Sequence, residues 1–132
     1  MGEHLRGDRA PSGVRLLLVE DDAPVRRSLQ LLLRGCGYDV RAYADGRRVL
    51  VDPAAQEVMC LITDHQMASI DGISLLRALR ALGWSGVAIL LTATHASLEP
   101  ADAGSVGFEL VIEKPVDEHS LIEVVRRSLS RM

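Results

Sequence analysis

The apolar residues of this chain come in short unbroken runs, and each run ends at a polar residue able to do chemistry. Leu16-Leu17-Leu18-Val19 stops at Glu20-Asp21-Asp22, and Val58-Met59-Cys60-Leu61-Ile62-Thr63 stops at Asp64. Val87-Ala88-Ile89-Leu90-Leu91 stops at Thr92, while Leu110-Val111-Ile112 leads through Glu113 into Lys114-Pro115. A strand with one wet face alternates apolar and polar side chains. A run that is apolar at consecutive positions is covered on both faces, as in a parallel sheet. Parallel strands of one sheet would bring these acids, the hydroxyl and the ammonium to a single edge.

The segments between the runs carry helical spacing. Pro24 suits a first helical turn, and Val25, Leu29, Leu32 and Leu33 recur through Arg34 before Gly35 and Gly37 end the helix. Tyr38 to Tyr43 reads as a short second strand. Asp45 can cap a brief helix holding Val49 and Leu50 that stops before Pro53. The third strand is expected at 58–63. Asp71-Gly72 opens a helix with Ile73, Leu75, Leu76, Leu79 and Leu82 inward, closed by Gly83. Strands follow at 87–91 and about 109–113, and Glu118 to Arg131 forms a last helix with Leu121, Ile122, Val125 and Leu129 inward. A further helix belongs between 93 and 108, short or irregular because of Pro100, Gly104 and Gly107. Strands and helices alternating at this length imply right-handed crossovers and a doubly wound sheet, which binds ligands beyond the carboxyl ends of its strands.

Composition narrows the possible functions. The 132 residues make one domain, 48% hydrophobic and 25% charged. A net charge of −3 argues against nucleic acid as the main partner. No apolar stretch approaches the ~20 residues of a membrane span. Residues 1–13 are polar and glycine-rich without the apolar core of a signal peptide, and are expected to be a flexible tail. Cys36 and Cys60 make no disulfide framework, and Cys60 sits inside an apolar run as a core residue. These features fit a cytoplasmic protein. His4, His95 and His119 lack metal-ligand spacing, His65 is expected to face solvent, and Trp84 to pack locally.

Carboxylates, a hydroxyl and a lysine gathered at strand ends make a magnesium and phosphoryl site. With Glu20-Asp21, Asp64, Met67, Asp71-Gly72, Thr92-Ala93 and Lys114-Pro115 in this order, the chain resembles the receiver domain of bacterial response regulators over about residues 14–130. The resemblance implies an α/β, flavodoxin-like fold for residues 14–132: a doubly wound five-stranded parallel sheet in order 2-1-3-4-5, flanked by five helices. It implies that Asp64 accepts a phosphoryl group from a phosphohistidine on a histidine kinase or histidine phosphotransfer protein. Mg²⁺ would be held by Asp21 and Asp64, by Glu20 through water, and by the backbone carbonyl of Gln66. Thr92 and Lys114 would contact the phosphoryl oxygens. The domain would assist its own phosphorylation and dephosphorylation rather than turn over as an enzyme. It would signal by docking a downstream protein on the face of helix four, strand five and helix five.

The sequence also departs from the family pattern. Ala68 stands where proline is usual, which should loosen the loop after Asp64. Val111 stands where a tyrosine or phenylalanine usually swings between two states, and Phe108 lies three residues earlier. The chain carries no basic helix-turn-helix segment for DNA, so a stand-alone receiver and a piece of a larger regulator or hybrid kinase are both expected forms. Two other classes stay open. One is an interaction module of this fold that signals without phosphorylation, to which Val111 points. The other is a small aspartyl-nucleophile phosphatase, against which Gln66 argues, because such enzymes usually place a second Asp two residues after the first.

Overall fold

The structure is a computed structural model and describes residues 13–93, 104 and 107–130. Strand and helix alternate as the apolar pattern predicts. The order is β1 (Arg15–Val19), α1 (Ala23–Gly35), β2 (Asp39–Tyr43), α2 (Gly46–Leu50), a 3₁₀ turn (Pro53–Glu57), β3 (Cys60–Asp64), α3 (Gly72–Ala81), β4 (Val87–Thr92), β5 (Leu110–Glu113) and α4 (Glu118–Ser130). All strand pairs are parallel, and the sheet runs β2-β1-β3-β4-β5. This is the doubly wound, flavodoxin-like arrangement. The helix expected within 93–108 and residues 1–12 of the expected tail lie outside the described residues, leaving four α-helices among the described ones.

Two cores explain why the runs are apolar without a break. Successive side chains of a strand point to opposite faces. Leu17, Val19, Leu61, Ala88 and Leu90 therefore face one layer, with Val49, Leu75, Leu76, Leu79, Trp84 and Phe108. Leu16, Leu18, Cys60, Ile62, Ile89 and Leu91 face the other, with Leu29, Leu33, Leu121 and Val125. Both faces are covered by helices, so neither register of a strand can be polar. Burial pushes the Cys60 thiol up to about 12, which makes it an inert core residue.

Three local readings change. β3 begins two residues later than expected, at Cys60, where its pairing with β1 and β4 starts. Asp64 is thereby the last residue of the strand itself. The 3₁₀ turn was not expected; Asp52 caps it and Pro53 starts it. Leu82, expected inward, is 51% exposed, since it is the C-cap residue beyond the last turn of α3. Trp84 does pack locally: its indole N–H donates to the Val58 carbonyl at 3.0 Å and the Arg80 guanidinium lies 4.9 Å from its ring.

Gly72 sets how close α3 comes to the sheet. A Cβ there would lie 2.6 Å from the Asp64 carbonyl oxygen and 2.8 Å from Leu90 Cδ1, and its N–H donates to the His65 carbonyl at 2.8 Å. The obstructing atom is backbone, which cannot swing aside. Gly35, the last residue of α1, has open space where its Cβ would be. Gly72→Ala is expected to destabilise the fold by ~1–3 kcal/mol as an overpacking change, while Gly35→Ala is neutral or stabilises by up to ~1 kcal/mol. Urea unfolding midpoints of the two variants check this, and equal shifts would contradict it.

Candidate functional site

Register brings the polar strand ends level. Val19 pairs with Thr63, Asp64 with Leu91, and Thr92 with Glu113, so the residues at or just beyond these positions share one edge. The backbone continues the ladder past the strands: Glu20 N–H donates to the Tyr43 carbonyl at 3.0 Å, and Lys114 N–H to the Thr92 carbonyl at 2.7 Å. The second of these bonds seats the lysine beside the threonine.

Glu20 is fully buried and Asp64 is 6% exposed, whereas Asp21 faces solvent. One carboxylate oxygen from each of the three lies within 4.8 Å of the others. Like charges this close repel. Lys114 offsets them: its Nζ lies 2.8 Å from Glu20 Oε1 and 3.1 Å from Asp64 Oδ1. Glu20 Oε2 also accepts the Asp22 N–H at 3.2 Å. Burial nevertheless holds the Glu20 carboxyl above its ordinary range, outweighing Lys114 and the Asp22 N–H, with Asp64 adding in the same direction. For Lys114, burial pulls the ammonium down, but the hydrogen bonds to Glu20 and Asp64 prevail and hold it above its ordinary range. A donor set made only of oxygens, one member open to solvent, fits a hard divalent cation.

Thr92 is 6% exposed and its Oγ1 is buried with no hydrogen-bond partner. A buried, unanswered hydroxyl costs ~1–3 kcal/mol, so it needs a reason to be there. Gln66 lies exposed in the loop two residues beyond Asp64. The other acids at this edge are caps. Asp22 accepts from Val25 N–H at 3.2 Å, Asp71 from Ser74 N–H at 2.8 Å, and Asp117 from Ser120 N–H at 3.0 Å. Asp22 therefore caps α1, whereas Glu20 is held by Lys114.

Several placements differ from expectation. His65 is half-buried rather than solvent-facing, with Nδ1 buried and unpartnered. As the sequence implies, Val111 supplies no aromatic beside Lys114; it lies against the core layer containing Leu90, of which Phe108 is a buried member. Sequence reading also missed the contact between Ser69 and Asp45, which are 24 positions apart. Asp45 was legible as a cap, but nothing in the spacing joins it to Ser69.

Comparison with known proteins agrees with this architecture. Residues 16–126 match the response regulator receiver domain family. Over 122 residues the chain is 31% identical to the transcriptional regulatory protein FixJ of Azorhizobium caulinodans, covering 92% of this chain and 57% of that protein. Over 118 residues it is 32% identical to the response regulator MprA of Mycolicibacterium vanbaalenii, covering 89% and 51% respectively. It thus spans about half the length of each. The solved structure of FixJ-N superposes with a TM-score of 0.81 at 27% identity, covering 92% of this chain and 98% of that one. With the sheet order, the acidic edge and a family match that runs from β1 into the last helix, the chain belongs to the response regulator receiver domain family.

Proposed function

We propose that residues 14–132 form a phospho-accepting receiver in which Asp64 takes a phosphoryl group from a phosphohistidine, and that this switches partner binding. The observation that carries the reading is the single ammonium of Lys114 bridging Glu20 and Asp64, beside a Thr92 hydroxyl that has no partner. A cation already seated on the carboxylates, and a buried hydroxyl without a partner at the neighbouring strand end, are what an incoming phosphoryl group requires.

Glu20, Asp21, Asp64 and the Gln66 carbonyl would hold Mg²⁺, which supplies charge neutralisation and orientation of the transferring group. An Asp64 carboxylate oxygen attacks phosphorus. The P–O bond forms as the P–N bond to the donor imidazole breaks, and the bonding pair leaves on that nitrogen. Lys114 gives up part of its contact with Asp64 and follows the new negative charge to a phosphoryl oxygen. Thr92 Oγ1 donates to another oxygen and gains the partner it lacks. Later hydrolysis reverses the charge changes, so the domain assists both steps without being a turnover enzyme. The donor is a histidine kinase or histidine phosphotransfer protein. The downstream partner docks on the segment after β4, β5 and α4, which all lead from Thr92 or Lys114. No helix among the described residues is long and apolar enough to cross a membrane, and a cytoplasmic setting is the one such a donor requires.

Three outcomes test the reading. With Mg²⁺ and acetyl phosphate, intact mass gains one phosphoryl group in wild type and none in Asp64→Ala; equal labelling of both would sink the assignment. Thr92→Val removes an unanswered polar group, so it is expected to stabilise the unphosphorylated fold by up to ~1 kcal/mol while abolishing most of the thermal stabilisation given by beryllofluoride. Lys114→Met leaves Glu20 and Asp64 facing each other without a cation and is expected to cost ~1–3 kcal/mol. Added Mg²⁺ should then raise the unfolding temperature of Lys114→Met more than that of wild type, and a smaller rise would contradict the role given to Lys114.

A further inference from the structure

The loop between Asp64 and α3 has two kinds of anchor. One lies at its ends, where His65 N–H donates to the Leu91 carbonyl at 2.9 Å and Gly72 N–H to the His65 carbonyl at 2.8 Å. The other lies at its crest. There Ser69 Oγ donates to Asp45 Oδ1 across to the start of α2. The next residues repeat the contact: Ile70 Cγ2 sits over Gly46, where a Cβ would meet it at 2.8 Å. Two consecutive residues of the loop therefore rest on two consecutive residues of another element.

Asp45 is well placed to hold this contact. Its Oδ1 also accepts the Arg47 N–H at 2.9 Å as the cap of α2, and the Arg47 guanidinium lies 3.4 Å from Oδ2. The bond from Ser69 is the first cause keeping Asp45 below the ordinary carboxylate range, so the acceptor stays ionised. Asp21, Asp45, Arg47, Ala68 and Ser69 line one cleft, so this contact shares a cleft with one member of the carboxylate cluster. Ala68 leaves the loop without the fixed backbone angle that a proline would give it. Another contact must then order the loop that carries Gln66, three residues before Ser69.

We propose that Ser69 and Asp45 form a latch that positions the loop after Asp64, presetting the Gln66 carbonyl for a divalent cation; this rests on the metal and phosphoryl reading above. They are positioning residues and touch neither metal nor phosphoryl group. Ser69 is exposed, so removing its hydroxyl leaves the fold intact while freeing the loop. The ordering cost of the loop then falls on metal binding, and affinity drops.

The test uses the full chain and Mg²⁺ alone. Titration calorimetry is run on wild type, Ser69→Ala, Ser69→Thr and Arg47→Ala, with amide hydrogen exchange of residues 65–71 measured in the absence of metal. Ser69→Ala is expected to weaken Mg²⁺ about tenfold and to speed exchange in the loop, with an unchanged thermal midpoint. Ser69→Thr, which keeps the hydroxyl, should restore both. Arg47→Ala removes positive charge from the same cleft but keeps the Ser69 hydroxyl, the Asp45 carboxylate and the backbone N–H that Asp45 caps, so its Mg²⁺ affinity should not fall. Unchanged affinity and exchange in Ser69→Ala would overturn the latch while leaving the phosphoryl reading in place. Equal weakening in Ser69→Ala and Arg47→Ala would assign the effect to a general disturbance of the start of α2 and overturn it as well. Absence of Mg²⁺ binding in wild type would overturn both the latch and the reading it rests on.

Discussion

A carboxylate with no exposed surface has to be paired, and the pairing of Glu20 with Lys114 organises this domain. Taking Glu20 out of water is unfavourable, and an ammonium at 2.8 Å offsets only part of that cost. Because burial holds its folded pKa above the unfolded value, the stability that Glu20 contributes is full below pH ~4.5 and is lost as pH rises through the folded pKa. A charged Glu20 at the strand edge therefore depends on Lys114, and their contact ties β1 to the residue that follows β5.

The division of labour among the acids follows from geometry. Wherever a strand hands over to a helix, the first N–H groups of the helix need acceptors. Asp22, Asp45, Asp71 and Asp117 take that work, and each is spent on it. Glu20, Asp21 and Asp64 lie just before or at the handover, where the side chain points along the sheet edge rather than back to the helix. Capping thus fixes where each helix starts, and the helix start fixes how far each site acid can move. Gly72 does the same from behind Asp64, by letting α3 sit directly on its carbonyl.

The sheet and the site were legible in the sequence for one reason: burial on both faces leaves an unbroken apolar run, and the run's end marks the edge. The residues Glu20, Asp21, Asp64, Thr92 and Lys114 could be named from those ends alone. Contacts between distant segments were not legible. Nothing local says that Lys114 rests on Glu20 and Asp64, or that Ser69 crosses to Asp45. Leu82 was misread because helical spacing continues one residue past the last helical turn. His65 was misread because a loop position says nothing of which neighbours close over it.

Trp84 lies at the far end of the same strands. It precedes β4, donates to the carbonyl that precedes β3, and is the chain's single tryptophan. The sheet itself separates it from the carboxylate edge. Its emission therefore reports on the hydrophobic layer beneath α3 rather than directly on the acids. Unfolding of this domain thus carries a built-in optical reporter placed away from the acidic edge.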